Sequence, residues 1–364
     1  MQRARVVGAG HFVPARVVTT ERIANAIPGW SAERIIERTG IRERRFLWDF
    51  DEKKGVAIAP PEGESLYPIS GCDMNEVALQ RALQMAGMQA TDLDAVFVVT
   101  CTPDELNFSH DAMELHRRFA MRKDAFAMVI DDGCGGTPYV IDLVRKMIES
   151  GALRTVAVVA SAFTSPLVNR DVFTAEIEPS PGEKALSGIL SMYVFGDAAG
   201  AVILRGDSGG KHGIVSSFSA NTHEELVLRR GGGSMRHCHQ GRAGGAQMAF
   251  VVHGQKVALS YPRVMEECIA TVTDSSQLLR QDVERYYLHQ PNKRLLDLLV
   301  QKSELEPSKV AVNVDRYGNT SAAGMLVLLS EDLAAGRVSL GSGAMTVIAA
   351  VGANVHYAAQ LIAL

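Results

Sequence analysis

Cys134 lies in the run Asp131-Asp132-Gly133-Cys134-Gly135-Gly136, between an apolar stretch and a helical pattern. A thiol at the start of a helix meets the positive end of the helix dipole, which favours the nucleophilic thiolate. The flanking glycines let substrate and backbone approach closely and leave the Cys134 N–H able to donate to an oxyanion. A small cysteine buried where strand meets helix is the competing reading. His289 closes a short apolar strand in Leu288-His289-Gln290-Pro291-Asn292, at the strand end where α/β proteins build their sites. Asn319 follows Gly318 and opens another helical pattern, for which an N-cap role suffices.

These residues require a layered scaffold. Runs rich in Val, Ile and Ala (Ala95–Thr100, Ala125–Asp131, Thr155–Ala160, Ala199–Leu204, Tyr286–Leu288, Val310–Val314 and Thr346–Val351) read as buried strands. Helical patterns lie among them at Glu76–Ala86, Thr137–Ile148, Arg294–Leu299 and Ala322–Ala335. Continuously apolar strands of this kind predict an α/β fold whose sheets are covered on both faces. An internal repeat refines this. The turn at Cys134 leads into a helix ending at Ser150-Gly151 and then a strand; the turn at Asn319 leads into a helix ending at Ala335-Gly336 and then a strand, with equal separations. The chain therefore reads as two pseudo-symmetric halves, 1–205 carrying Cys134 and 206–364 carrying His289 and Asn319, with Cys134 and Asn319 in related places.

Composition bounds the function. The 364 residues, 47% hydrophobic and 21% charged, provide a large core, and length alone suggests two to three domain-sized units. A net charge of −4 lacks the basic footprint of a nucleic-acid or anionic-membrane partner. The apolar runs are too short for a membrane span. Five cysteines are too few and too odd in number for a disulfide framework, and no leader pattern opens the chain, so a cytoplasmic location is expected. His237-Cys238-His239 alternates sides of an extended strand and has no second ligand cluster, so no metal site is expected. Gly231–Gly233 lacks the Lys-Ser/Thr ending of a phosphate loop. The low-complexity stretches Ala57–Gly63 and Gly231–Gly245 read as surface insertions.

The order of Cys in a glycine turn, then Leu-His-Gln-Pro-Asn, then Gly-Asn-Thr-Ser-Ala-Ala resembles the β-ketoacyl-ACP synthase III group of the thiolase superfamily. Val7-Gly8-Ala9-Gly10, Pro14 to Thr19, Glu37 to Arg45 and Phe195-Gly196-Asp197-Ala198-Ala199-Gly200-Ala201 resemble further signatures of that group. The resemblance implies a thiolase-like, duplicated five-layer α-β-α-β-α fold and an acyltransferase. Cys134 would take an acyl group from an acyl-CoA or acyl-carrier-protein thioester, with no cofactor and no metal. His289 and Asn319 would hold the carbonyl of a malonyl-type thioester during decarboxylative Claisen condensation. The backbone N–H groups of Cys134 and Ala353 would form the acyl oxyanion hole. Arg38, Arg34 and Arg294 fall on positions near the pocket mouth. Phe108 falls on a loop that crosses to the partner's acyl pocket, which implies a homodimer.

Departures from the family pattern bear on substrate choice. Gly135-Gly136-Thr137-Pro138 follows the nucleophile where the family has a small residue and Gly-Phe, Gly352-Ala353-Asn354 replaces a glycine triplet, and Arg34 replaces an adenine-stacking tryptophan, with Trp30 one turn earlier. The longer segments Trp48–Ser70 and Phe163–Ser191 point to a relative from specialised metabolism. Transfer of the acyl group from Cys134 to a hydroxyl or amine, without decarboxylation, is the alternative activity. A non-catalytic partner subunit fits poorly with an intact Cys134, His289 and Asn319, and a degradative thiolase lacks its second cysteine here.

Overall fold

The computed structural model describes residues 2–61, 67–106, 108–174, 189–222, 224, 226–229, 250–353 and 356–364. The Gly231–Gly245 stretch, with His237-Cys238-His239, lies outside the described residues. In the first half, β1 (Arg3–Phe12), β2 (Ala95–Val99), β3 (Phe126–Ile130), β4 (Thr155–Ala162) and β5 (Ala198–Asp207) form one sheet in the order β1-β5-β4-β2-β3. β2 runs parallel to β3 and β4, and β5 runs antiparallel to β1 and β4. In the second half, β6 (Gly213–Asn221), β7 (Arg285–Leu288), β8 (Met345–Val351) and β9 (His356–Ala363) pair in the order β6-β9-β8-β7. The first four strands of the one order correspond to the four of the other, as the repeat predicts, and β3 has no full strand as its counterpart. The expected strand Val310–Val314 is reduced to one parallel bridge, Val310 to Tyr286, because Val314–Tyr317 coils into a short helix that carries the chain toward Asn319.

Every residue of β2 and β4 is buried, which is why these strands read as unbroken apolar runs. Helix α1 (Ala32–Thr39) carries Arg34 and Arg38, and on the outer face of the first sheet α2 (Gly71–Ala86) and α3 (His110–Arg118) contribute Met74, Leu79, Leu83 and Leu115 to one core. On the outer face of the second, α5 (Gly254–Asp274) and α6 (Lys293–Lys302) contribute Val264, Ile269, Leu296 and Leu299 to another. Between the sheets lie α4 (Gly136–Glu149) and α7 (Gly324–Ala334). Their Val140, Val144, Leu326 and Leu329 share a core with Val158 and Val202 of one sheet and Tyr287 and Ile348 of the other. This is the five-layer α-β-α-β-α arrangement. Both central helices end at glycines with left-handed backbone, Gly151 (φ 80) and Gly336 (φ 67), as the paired Ser-Gly and Ala-Gly endings predict.

Candidate active site

The two central helices begin on the same side of the molecule, and the residues before them meet. Cys134 lies in the turn after β3, and α4 starts two residues later. Gly135 has no room for a side chain: a Cβ there would come within 2.5 Å of the Gly352 nitrogen and of the His356 carbonyl oxygen. That close approach brings the nucleophile turn of the first half against Gly352 and His356 of the second.

Asn319 is held by its main chain. Its N–H donates to the Val194 carbonyl (2.9 Å) and its carbonyl accepts from the Gly196 N–H (3.1 Å), so residues 194–196 of the first half clip it from both sides. Gly196 is obligatory, since a Cβ would lie 1.9 Å from the Tyr317 carbonyl oxygen. The N-terminal signature supports the same loop: Arg42 N–H donates to Asp315 O, and Gly318 abuts Arg44. Arg44 is itself fully buried, donating to the Tyr193 and Val18 carbonyls and the Thr20 hydroxyl, and burial lowers its pKa to about 9. The side chain of Asn319 is oriented too. Its Oδ1 accepts from the Ser321 N–H at 2.9 Å, which leaves the amide NH2 as the donor end.

His289 follows β7. Its N–H bonds to Ala349 of β8, and its carbonyl accepts the Tyr261 hydroxyl at 2.5 Å. The neighbours in its motif are scaffold: Gln290 ties to Ala311, Asn313 and Val314, and the Asn292 side chain caps α6. Burial pushes the imidazole down to about 3, so it is neutral at physiological pH and carries a single N–H.

Cys134, His289, Asn319 and Ala353 line one cavity of about 540 Å³, walled largely by apolar groups such as Val194, Leu226, Val257 and Val351. Trp30, Arg38 and Arg294 line it as well. Arg34 is not among the lining residues; its guanidinium stacks 4.3 Å from the ring centroid of Trp30, which does line the cavity, with Arg38 also against that ring at 5.1 Å. Phe108 does not fold back onto its own chain; it is 95% exposed, on a residue with φ 56. The thiol also departs from expectation. Burial pushes Cys134 up to about 12, reinforced by Cys101 and Asp132 and opposed by hydrogen bonds from Ser321 and Asn319. The helix start therefore does not leave a standing thiolate. Sequence reasoning passed over Ser321, whose Oγ lies 3.5 Å from Cys134 Sγ, and the Asp132–His356 contact of 2.6 Å. The double aspartate before Gly133 was the only signal for the latter.

Residues 129–222 match the 3-oxoacyl-[acyl-carrier-protein] synthase III family, and residues 273–364 match the C-terminal region of the same family. The chain is 30% identical over 361 residues to β-ketoacyl-[acyl-carrier-protein] synthase III of Symbiobacterium thermophilum, covering 97% of this chain and 96% of that one. It is 30% identical over 339 residues to the enzyme so named from Geobacillus kaustophilus, covering 92% and 91%. Among solved structures, the β-ketoacyl-[acyl-carrier-protein] synthase III of Thermus thermophilus superposes with a TM-score of 0.78 at 26% identity, covering 99% of both chains. Fold, paired halves and relatives agree, and the chain belongs to the 3-oxoacyl-[acyl-carrier-protein] synthase III family of acyltransferases.

Proposed function

We propose that the chain catalyses ketosynthase III-type condensation, with Cys134, His289 and Asn319 as its catalytic residues. The Cys134 thiol attacks an acyl thioester; its proton passes by way of the neutral His289 to the departing CoA or carrier-protein thiolate, and the acyl group stays on sulfur. A malonyl-type thioester then enters with its carbonyl oxygen between the His289 N–H and the Asn319 NH2. Its carboxylate leaves as carbon dioxide, and the electron pair of that bond forms an enolate held by the two donors. The enolate carbon attacks the Cys134 thioester carbonyl. The oxyanion that forms is received by the backbone N–H groups of Cys134 and Ala353, and collapse expels the Cys134 thiolate, which takes up a proton from solvent to restore the thiol.

The observation that carries this reading is the orientation of Asn319. With Oδ1 occupied by Ser321, the residue offers NH2 to the cavity beside a neutral imidazole, which suits a developing enolate rather than a cation. Arg38 and Arg294 at the mouth suit the phosphates of CoA or of a carrier-protein arm, and neither a metal nor a further cofactor enters the reaction. A homodimer would complete the site: Phe108 is exposed, and β3, an edge strand among the described residues, exposes Phe126 and Met128, apolar surface of the kind a second copy covers. Intact-protein mass spectrometry after incubation with an acyl-CoA panel tests the first step. A single acyl adduct, absent in Cys134→Ala, is expected; an adduct persisting in that variant contradicts it. Loading followed by transfer to an alcohol or amine, with no carbon dioxide released, would replace condensation with simple acyl transfer.

A further inference from the structure

The geometry points to Asp132 and His356 as a clamp that sets the spacing of the acyl oxyanion hole. His356 Nδ1 lies 2.6 Å from Asp132 Oδ2, and with a carboxylate as acceptor that nitrogen carries the proton. The other carboxylate oxygen, Oδ1, accepts from the Gly133 N–H at 2.7 Å, so Asp132 grips the residue before the nucleophile. At the far end of the clamp, the His356 carbonyl accepts the Gly352 N–H at 2.6 Å, closing the turn that carries Ala353. The Ala353 carbonyl is fixed in turn by the N–H groups of Leu226 (2.7 Å) and Val227 (3.1 Å). The Tyr139 ring from the first turn of α4 stacks on the His356 imidazole at 4.7 Å between centroids, which holds the ring in place.

The two hole donors come from opposite halves of the molecule, so their separation depends on how the two turns are held together. Backbone packing of Gly135 against Gly352 and the His356 carbonyl limits how close the turns can come. The Asp132–His356 hydrogen bond adds direction and resists their parting. The charge on Asp132 raises the Cys134 thiol rather than activating it, so the carboxylate works against nucleophile ionisation and its use lies elsewhere. Both are positioning residues, and neither lines the cavity.

This inference rests on the acyl-enzyme reading above, and its test separates the two. Acyl loading is followed in single turnover, and the thioester carbonyl of the acyl-enzyme, carbon-13 labelled, is read by infrared difference spectroscopy; donors in the hole lower its stretching frequency. Asp132→Ala and His356→Ala are expected to slow loading at saturating thioester about ten- to a hundredfold, with KM changed by less than about twofold, and to raise the carbonyl frequency. The double variant should be no slower than the slower single one. Asp132→Asn, whose Oδ1 still accepts from the Gly133 N–H and whose NH2 donates to His356 Nδ1 once the ring proton sits on Nε2, should restore both the rate and the band. His356 is partly exposed, so His356→Ala keeps the test open if Asp132→Ala fails to fold. A band unmoved in the alanine variants, or single effects that multiply in the double variant, overturns the clamp. A wild-type protein that never forms the adduct overturns the underlying function instead.

Discussion

Burial acts on His289 and Cys134 in one cavity with opposite chemical results: it holds the imidazole uncharged as a donor and holds the thiol protonated until substrate arrives. Alkylation of Cys134 by iodoacetamide should therefore keep rising by about tenfold per pH unit between about pH 7 and 9, taken as the difference between wild type and Cys134→Ala. A plateau near neutral pH would show a standing thiolate and contradict the burial argument. For His289 the folded pKa is depressed from an ordinary 6.5 to about 3, so the unfolded chain binds the proton first. Stability from this group is present above pH 6.5 and declines as pH falls toward 3. The fall in Tm between about pH 7 and 5 should be shallower in His289→Gln than in wild type; equal slopes would mean the imidazole charges freely in the fold. That Cys134, His289 and Asn319 belong together was legible only through the family resemblance, since type and spacing alone left Asn319 with an N-cap role and Cys134 with a core reading. The ionisation state of the thiol was not, since it depends on walls contributed by distant segments.

At the scale of elements, the contact between the two central turns is the feature on which the site depends. Gly135→Ala would drive a methyl into the Gly352 and His356 backbone, with no flexible side chain to yield. It should slow acyl loading by tenfold or more and destabilise by about 1–3 kcal/mol. Gly151→Ala is the comparison: its φ is 80 but the space around it is open, so it should lower stability while loading stays at the wild-type rate. Denaturant unfolding beside single-turnover loading distinguishes them, and equal loading in both variants would contradict the close-approach argument. The strands that announced themselves, such as β2 and β4, are buried on both faces. β6 did not, because its Ser217 and Ser219 face a buried carboxylate, Asp142 of α4, and so break the apolar pattern. β9 was hidden likewise by Gln360, which donates to the Pro138 carbonyl, and α5 by Pro262 within it.

At the scale of the molecule, the repeat and the family signatures foretold two halves around a shared core, and the sheet orders bear that out. The stacking of Arg34 on Trp30 follows from their spacing of one helical turn. Phe108 at 95% exposure, Phe126 at 60% and Met113 at 51% are apolar side chains that the proposed homodimer would cover. Sedimentation should give a dimer at micromolar concentration, and Phe126→Asp should shift it toward monomer with reduced loading; a wild-type monomer would contradict the assembly. The central claim, decarboxylative condensation at a Cys134–His289–Asn319 site, is tested most directly by Asn319→Asp. Wild type preloaded with an acyl group should release labelled carbon dioxide from malonyl thioester in single turnover. Asn319→Asp should load Cys134 at nearly the wild-type rate yet release carbon dioxide about a hundred- to a thousandfold more slowly, since the carboxylate repels the enolate oxygen that the amide held. Undiminished carbon dioxide release in Asn319→Asp would contradict the account.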